Sequence, residues 1–322
     1  MSSHKNITIM TWNIYFGADL TPGLGTTSTE LPQRVTEIFR QFQATNFPVR
    51  AKAIADQIAR KKPDIIGLQE AAIWELLLPH NSKVVVEYDF ISILLKELEK
   101  RGLHYQVLAE TRNTDVTVPS STRFNVRFLD RDVILVQKKP GLRFSNIQSK
   151  NFQARLPVPV GGQSVPIISG WASVDVNLFG MKFRLVNTHL QPFSDPASLQ
   201  VHLAQAEELL TGPAATELPL VFIGDFNSPS DGTGIAYNNF IHAGFNDAWR
   251  IAGKGDGLTC CQDADLLNLI SQLFVRIDLI LFRGNFSVKK VKVIGEEQED
   301  RTSTALWPSD HAGVAAILTL HN

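Results

Sequence analysis

The chain has 322 residues, of which 44% are hydrophobic and 20% are charged, and its formal net charge is −1. This length and composition are typical of a globular protein with one large domain or two ordinary ones. The near-zero net charge excludes a protein that coats nucleic acid through bulk charge, although it leaves room for a local basic patch.

The cysteines and the N-terminal residues bear on where the protein works. The only two cysteines are the adjacent Cys260 and Cys261, a pattern that excludes a disulfide-rich secreted scaffold and a cysteine-based zinc site. Residues 1–10 lack a signal peptide, and no apolar run approaches the ~18 residues that span a bilayer. We therefore expect two free thiols and a cytoplasmic location, unless a signal sequence was removed.

Strands and helices are predicted in alternation along the chain from the hydrophobic periodicity. In chain order the predicted strands are residues 6–14, 64–69, 131–137, two strands that meet at a Phe179-Gly180 turn, 218–224, 276–282 and 312–320. The predicted helices are residues 49–61, 85–101 and 196–210, the last capped by Asp195. Hairpins among these alternating elements indicate a mixed α/β domain over residues 1–322, with two stacked sheets and outer helices.

Polar side chains recur beside these apolar strands. They are Asn13, Glu70, Asn187, His189, Asp225, Asn227, Asp278, Asp310 and His311. One such residue alone is usually a turn former or a cap. Because strands of one sheet can bring their ends to one rim, the recurrence predicts a single site. Carboxylates and amides with two histidines suit Mg²⁺ or Mn²⁺ better than zinc, and that set indicates metal-assisted phosphoester hydrolysis.

The segments TWNI, GLQE, NTHL, GDFNSP, RIDLILF and SDH occur in the order typical of the endonuclease/exonuclease/phosphatase superfamily, which the chain resembles from residue 7 to residue 320. Members include deoxyribonuclease I, abasic-site endonucleases, neutral sphingomyelinases and inositol polyphosphate 5-phosphatases. The resemblance implies a four-layered α/β sandwich, with two mixed β-sheets packed face to face and helices on both outer faces. It also implies an active site at one rim that uses Mg²⁺, with Mn²⁺ as the substitute.

The resemblance implies a metal centre and a residue that prepares the attacking water. Glu70 would be the main metal ligand, with Asn13 beside it and Asp310 also holding the metal. Asp225 would orient or deprotonate the water. Asn227 would position the water and the phosphate.

The resemblance also implies groups that contact the phosphate. His189 would contact it or assist the leaving group, and His311 would act as general base or stabilise the developing charge. Asp278 would fix the tautomer of His311. Asn187 and Arg131 are the candidate substrate-binding residues, although Arg131 is equally explained as a surface charge paired with a flanking aspartate.

Two segments separate the members of this superfamily from one another. In residues 253–275, Thr259 matches a common threonine, but Cys260, Cys261 and Gln262 replace the aromatic residues of abasic-site enzymes. The following LLNLISQLF is interpreted as a short core helix, or else as a wall for an apolar substrate or a lipid-facing lip. Together with 17–48 and 111–130, this segment is predicted to be a long loop.

The 17–48 region also permits two interpretations. Arginine and phenylalanine side chains alternate there, and such a mixture can hold phosphates and stack on bases. The same pattern is also that of an amphipathic helix that buries its phenylalanines and covers the rim. The residues concerned are Arg34, Phe39, Arg40, Phe42, Phe47 and Arg50.

Three functions are left open by the sequence. The first is a Mg²⁺-dependent phosphodiesterase or phosphatase acting on a small or lipid-linked phosphoester. The second is an endonuclease or exonuclease that acts on DNA or RNA with the same metal centre, and the third is a non-catalytic binding module. The expected partner is thus a phosphoester substrate, whether a small molecule, a lipid headgroup or a nucleic acid, and the expected state is a monomer.

Overall fold

Sixteen β-strands form the framework of the computed structural model, which describes residues 5–321. The first eight are β1 (Lys5–Asn13), β2 (Ile65–Gln69), β3 (Ile73–Leu77), β4 (Val84–Asp89), β5 (Tyr105–Pro119), β6 (Asn125–Gln137), β7 (Leu142–Asn151) and β8 (Leu156–Val160). The second eight are β9 (Gln163–Ile167), β10 (Gly170–Leu178), β11 (Met181–His189), β12 (Leu220–Asp225), β13 (Asn246–Asp247), β14 (Asp278–Arg283), β15 (Phe286–Ile294) and β16 (Gly313–Leu320).

These strands assemble into two large mixed sheets and one separate hairpin. The first sheet has the order β15-β16-β1-β2-β6-β3-β4, with β5 also paired to β6. The second sheet has the order β13-β14-β12-β11-β10-β7, and β8 pairs only with β9. The pairs β1–β2 and β11–β12 are parallel, whereas the other neighbours are antiparallel.

Helices cover the outer faces of both sheets. The helices are α1 (Leu31–Ala44), α2 (Phe47–Lys61), α3 (Phe90–Glu99), α4 (Pro196–Thr211), α5 (Ile235–His242) and α6 (Ala248–Ala252). The first five lie on the outer faces, whereas the short α6 packs against the core between the sheets. The first three share an apolar core with the outer face of the first sheet, and α4 and α5 share another with the second sheet. A third core, which includes Ile9, Ile134, Leu185 and Ile223, fills the space between the sheets. These four layers confirm the predicted α/β sandwich.

The short strand β2 shows how its sequence divides between two of these cores. Ile66 and Leu68 belong to the helix-covered core, whereas Ile65 belongs to the core between the sheets, as the period of two in a strand requires. Gly67 also faces inward, and a Cβ atom there would collide with the carboxamide of Asn187 on the second sheet. A glycine at this position therefore lets the two sheets approach.

Several predicted elements are confirmed within a few residues, including strands β1, β2, β12 and β14. Helix α4 begins at Pro196, and the Asp195 carboxylate accepts hydrogen bonds from the backbone N–H groups of Ala197 and Ser198 as its N-cap. The hairpin turn at Phe179-Gly180 is also present, with Leu178 and Met181 as register partners. Capping and turn chemistry are local, which is why these features were readable from sequence.

Two predicted elements are wrong. The single helix expected over residues 85–101 is strand β4 followed by helix α3, because the β-branched run at its start pairs with β3. The loop expected over 111–130 is most of the long β5–β6 hairpin. No helix among residues 5–321 combines the length and apolar character needed to cross a membrane.

Candidate active site

Three of the predicted site residues are aligned across neighbouring strands of the second sheet. His189 ends β11 and is the register partner of Asp225, which ends β12. Asp225 is in turn the register partner of Asp278, the first residue of β14. Cross-strand partners present their side chains on the same face, so sheet register alone brings this histidine and the two carboxylates to one rim.

The first sheet contributes a second group of predicted residues to the same rim. Asn13 ends β1 opposite the last residue of β2, and Glu70 follows that residue directly. The Asn13 amide Nδ2 donates to Glu70 Oε1 at 2.9 Å and to Asp225 Oδ2 at 3.1 Å. Its Oδ1 accepts the backbone N–H of Tyr15 at 3.0 Å. One amide therefore links a carboxylate from each sheet.

His311 is held by a carboxylate from the opposite sheet. Its Nδ1 lies 2.8 Å from Asp278 Oδ2, and its Nε2 lies 3.8 Å from Asp225 Oδ2. Burial acts to lower the pKa of His311, but the carboxylates of Asp278, Asp310 and Asp225 outweigh burial and raise that pKa well above its ordinary value. The carboxylates therefore favour the imidazolium form of His311, and its Nε2 faces the site.

Glu70 and Asp310 are partly buried carboxyl groups with perturbed acidity. Burial first, and then the carboxylate of Asp310, raises the pKa of Glu70 to about 8. Burial also raises the pKa of Asp310, against the opposing effect of His311 and Arg50. Glu70 Oε2 accepts the backbone N–H of Phe16 at 2.7 Å, and the φ angle of Glu70 is 58°, a left-handed conformation that non-glycine residues seldom adopt.

Asp225 is oriented from several sides. Its Oδ2 lies 3.5 Å from His189 Nε2, and its Oδ1 accepts the backbone N–H of Asn227 at 2.9 Å. The Asn227 amide donates to the carbonyl of Leu190 at 2.9 Å, and Asn227 also has a left-handed φ of 46°. Left-handed non-glycine residues cluster at functional sites, and here they fix the turns that follow the strands.

The residues at this rim fit a hard divalent cation. Ligand atoms of Asp225, Asp278 and His311 lie within 4.8 Å of one another, and part of that proximity is the His311–Asp278 hydrogen bond. A cation beside Glu70 and Asp310 would offset the repulsion that raises the pKa of Glu70. Ligand atoms of Cys260, Cys261 and His311 are also grouped, but cysteine sulfur is a soft ligand that a hard cation does not select. The expectation of two free thiols stays a prediction.

Two expected substrate-binding residues lie elsewhere. Asn187 has no exposed surface, and its Oδ1 accepts a hydrogen bond of 2.7 Å from Gln69 between the two sheets. Arg131 is buried, donates to the carbonyl of Ala71 and pairs with Asp89 at 2.5 Å. Neither lines the site, so both expectations are corrected: Asn187 links the sheets, and Arg131 supports the turn after Glu70.

Residues 17–48 contain an amphipathic helix that buries its phenylalanines, as the second of the two interpretations of this region predicts. Helix α1 buries Phe39 and Phe42, and Phe47 begins α2 with no exposed surface. Stacking on nucleic-acid bases requires exposed rings, which these residues do not offer. The long-loop prediction is wrong here, because the segment contains fourteen helical residues in α1.

Arg50 is a contributor whose role the sequence did not reveal. It is fully buried in α2 and donates to the backbone carbonyls of Ile14 at 2.8 Å, Tyr15 at 3.1 Å and Pro308 at 2.9 Å. Burial lowers the pKa of Arg50 to about 10, so the side chain is still a cation at neutral pH. It therefore ties the segment after β1 to the segment that carries Asp310.

Residues 253–275 are an irregular loop, as predicted, but LLNLISQLF is not a helix. The side chains of Leu269, Ile270 and Phe274 are 71–79% exposed, so the core-helix interpretation is wrong. Thr259 lies at the base of this loop, and its hydroxyl accepts the backbone N–H of Asp278 at 3.1 Å. That contact helps to hold the aspartate in place beneath His311.

A cavity of about 570 Å³ opens beside the rim that carries these residues. Its polar end is lined by Glu70, His189, Asp225, Asn227, Asp310 and His311. Apolar side chains from α1, the β5–β6 hairpin and the β8–β9 hairpin line most of the rest. The volume is within the range of ordinary ligand sites.

Comparisons with known proteins agree with this geometry. The model of the Endonuclease/Exonuclease/phosphatase family matches residues 10–311. None of the curated protein sequences matches the chain.

Solved structures with the same fold come from several organisms. An endonuclease/exonuclease/phosphatase from Beutenbergia cavernae DSM 12333 has a TM-score of 0.61 and 18% identity, over 99% of this chain and 72% of its own. TDP2 from D. rerio, complexed with a single-strand DNA product, has a TM-score of 0.57 and 19% identity, over 97% and 98% of the two chains. The mannosyl-6-phosphatase Bt3783 from Bacteroides thetaiotaomicron VPI-5482 has a TM-score of 0.57 and 17% identity, over 97% and 99%. At these identities the likeness establishes the fold.

Proposed function

This chain belongs to the endonuclease/exonuclease/phosphatase family, whose members are metal-dependent phosphoester hydrolases, and from that premise we propose that it hydrolyses a small or lipid-linked phosphoester with Mg²⁺, or Mn²⁺ as substitute. The observation that carries the proposal is the convergence of Asn13, Glu70, Asp225 and the His311–Asp278 pair at one rim. Sheet register aligns Asp225 with Asp278, and side-chain hydrogen bonds join Asn13 to Glu70 and His311 to Asp278.

Glu70 and Asp310 are proposed to hold the cation, because their surroundings oppose ionisation of both carboxyl groups and a bound cation would favour the charged forms. When bound, the cation supplies Lewis-acid polarisation of the phosphoryl oxygens. Asn13 keeps Glu70 in place through its amide hydrogen bond, which also reaches Asp225.

Asp225 is proposed to orient the attacking water and accept its proton. The carboxylate is preorganised by the backbone N–H of Asn227 and by the amide of Asn13. His189 and His311 present Nε2 atoms 3.5 Å and 3.8 Å from the same carboxylate oxygen, so both rings are placed to contact the phosphate. The imidazolium of His311, anchored by Asp278, would stabilise charge that develops on the phosphoryl group.

The test is hydrolysis of bis-p-nitrophenyl phosphate and of p-nitrophenyl phosphate with Mg²⁺, with Mn²⁺ and with excess EDTA. We expect activity with either cation and none in EDTA. Glu70→Gln should abolish turnover and weaken cation binding measured by calorimetry, because it removes a carboxylate ligand. Glu99→Gln, an exposed glutamate of α3, is the matched control and should retain full activity. Full activity in EDTA contradicts the proposal.

A nuclease with the same metal centre is the second candidate. The arginine and phenylalanine side chains near residues 17–48 favoured it in the sequence, but several of them are buried. The aromatic rings of Phe39, Phe42 and Phe47 and the guanidinium of Arg50 are buried, so they are not available to hold a nucleic-acid strand. The two candidates differ in salt dependence. A nuclease that contacts several phosphates should lose kcat/KM steeply between 50 and 200 mM salt, on the order of a thousandfold, whereas a small phosphoester should not.

A further inference from the structure

The cavity beside the catalytic rim has a polar end and an apolar body. The apolar body begins where helix α1 presents Leu31, Val35 and Ile38 toward the cavity. Val116 and Val118 from β5 form a second wall. They are far from α1 in sequence but line the same cavity. A substrate held at the catalytic end would therefore have any long substituent in contact with hydrocarbon.

The β8–β9 hairpin supplies a third wall, and its two strands pair only with each other. Val158 and Val165 are cross-strand partners that line the cavity and are only half-buried, whereas Pro157 and Pro166 on the other face are exposed. An isolated two-stranded hairpin is marginally stable in water, and its apolar face gains most from an apolar neighbour. The cavity side of this hairpin thus matches a hydrocarbon occupant.

The charges around the cavity exclude a polyanionic occupant. Among residues 5–321, the cavity lining includes five acids and neither a lysine nor an arginine. Asp19 and Asp130 lie in that lining apart from the catalytic acids. A nucleic-acid strand or a substrate with several phosphates needs cationic side chains along its path. The lining therefore favours a substrate with one phosphate at the rim and no further anionic group along the cavity.

We propose that the cavity binds an alkyl chain of the substrate, so that the protein hydrolyses phosphoesters of amphiphiles with a long hydrocarbon chain. This inference rests on the proposed function, because the phosphate of such a molecule must lie at the rim formed by Glu70, Asp225 and His311. The chain then fills the apolar body between α1, β5 and the β8–β9 hairpin. The hydrophobic effect, rather than cationic side chains, supplies the selectivity.

The experiment uses a series of p-nitrophenyl alkyl phosphodiesters with methyl, butyl and octyl chains, each below the concentration at which it forms micelles. Water attacks phosphorus, the bond from phosphorus to the p-nitrophenyl oxygen breaks, and an alkyl phosphate and p-nitrophenol are released. We expect kcat/KM to rise by up to about fourfold for each methylene that becomes fully buried. The octyl ester has seven more methylenes than the methyl ester and should be better by at least a hundredfold even if only some of them are fully buried. The improvement should appear as a lower KM with little change in kcat, because the chain is bound alike in the ground state and the transition state.

A variant pair tests whether the named wall is responsible. Val158→Thr combined with Val165→Thr keeps the shape and the β-propensity of the hairpin but adds hydroxyls to the cavity face. We expect kcat/KM for the octyl ester to fall about tenfold and that for the methyl ester to change less than twofold. Val85→Thr, at an exposed valine of β4 away from the cavity, is the control and should change neither value. Equal losses on both esters in the double variant overturn the assignment of this wall.

A binding measurement separates failure of this inference from failure of the proposed function. Calorimetry of methyl phosphate and octyl phosphate with the wild-type protein and Mg²⁺ should show tighter binding of the longer chain and a negative heat capacity change. Hydrolysis with no dependence on chain length overturns the inference and leaves the proposed function standing. Chain-dependent binding without hydrolysis of any ester overturns the proposed function and supports the cavity assignment. Equal binding of both phosphates overturns the inference whatever the activity.

Discussion

The pair formed by His311 and Asp278 is the sharpest test at the scale of single residues. Their 2.8 Å contact joins a residue of the first sheet to one of the second. His311→Ala should lower kcat by ~10²–10⁴-fold, because it removes a positioned imidazolium at the phosphate. Asp278→Asn should cost less, because the ring stays but loses its charged anchor. Turnover of one phosphodiester at saturating Mg²⁺ measures both effects.

The double variant distinguishes a working pair from two separate residues. If His311 and Asp278 act together, the combined variant should be little worse than His311→Ala alone. His104→Ala, at an exposed histidine far along the chain, is the control and should leave turnover unchanged. Losses that multiply in the double variant would show that Asp278 acts independently of the ring.

Asn187 and Arg131, which the sequence analysis expected to bind substrate, show which structural information a sequence pattern does not contain. Asn187 lies two positions before His189 and therefore points to the same face of β11, but it lies deeper between the sheets, where substrate has no access. Arg131 alternates with its flanking aspartates and points to the opposite face of β6, toward α3. The sequence reveals the type of each residue and its position along a strand. The depth of a side chain below the rim, and whether it faces the site, depend on how the two sheets pack.

At the scale of elements, the contact between Gly67 of β2 and Asn187 of β11 sets how closely the sheets approach. Gly67→Ala should lower the free energy of unfolding by about 1–3 kcal/mol, because the new methyl group has no space beside the Asn187 carboxamide. Asn187→Ala should also destabilise, since it leaves the Gln69 amide without its 2.7 Å partner. Urea denaturation of each variant gives these values.

The two substitutions together should cost less than the sum of their separate costs. The alanine side chain at position 187 vacates the volume that a methyl group at position 67 would enter, so the two changes compensate. The double variant therefore tests the contact itself and not merely the sensitivity of each strand. Strictly additive losses would show that the sheets do not meet through this pair.

Elements with local signals were predictable, and elements defined by pairing were not. The Asp195 cap and the Phe179-Gly180 turn are encoded within a few residues, so helix α4 and the β10–β11 hairpin were anticipated. The segment that becomes β4 reads as part of a helix until β3 is available as its partner. A strand at a sheet edge is stabilised by pairing with its neighbour. Hydrophobic periodicity describes one segment at a time and therefore does not include that pairing.

At the scale of the whole molecule, the layered architecture followed from motif order, but the cavity did not. Its walls come from residues 31–38, 116–128 and 156–167, segments far apart in sequence. Each reads as an ordinary apolar face that belongs in a core. Only the packed molecule shows that these faces leave space between them, and that this space ends at the catalytic rim. The shape and lining of the cavity are therefore properties of the assembled layers rather than of any motif.

Global stability should depend on pH through Glu296, which lies outside the proposed active site. Burial first, and then the nearby Glu297 and Asp300, raises the pKa of Glu296 from an ordinary 4.5 to about 7. A carboxyl group whose pKa is raised by folding favours the folded state below pH 4.5, and that contribution is lost as the pH rises through 7. With allowance for solvent screening, ionisation of Glu296 should cost about 1–2 kcal/mol of unfolding free energy.

Glu296→Gln isolates this contribution, because glutamine is neutral at every pH and fits the same space. The unfolding free energy of the variant, minus that of the wild type, should increase between pH 4.5 and pH 8, as measured by urea denaturation at several pH values. Glu299→Gln, at an exposed neighbour on the same segment, should follow the wild-type curve in parallel. Both variants have the same net charge, so a pH dependence unique to Glu296→Gln must come from the burial of that carboxyl group. Parallel curves for wild type and Glu296→Gln would show that Glu296 titrates alike in the folded and unfolded states.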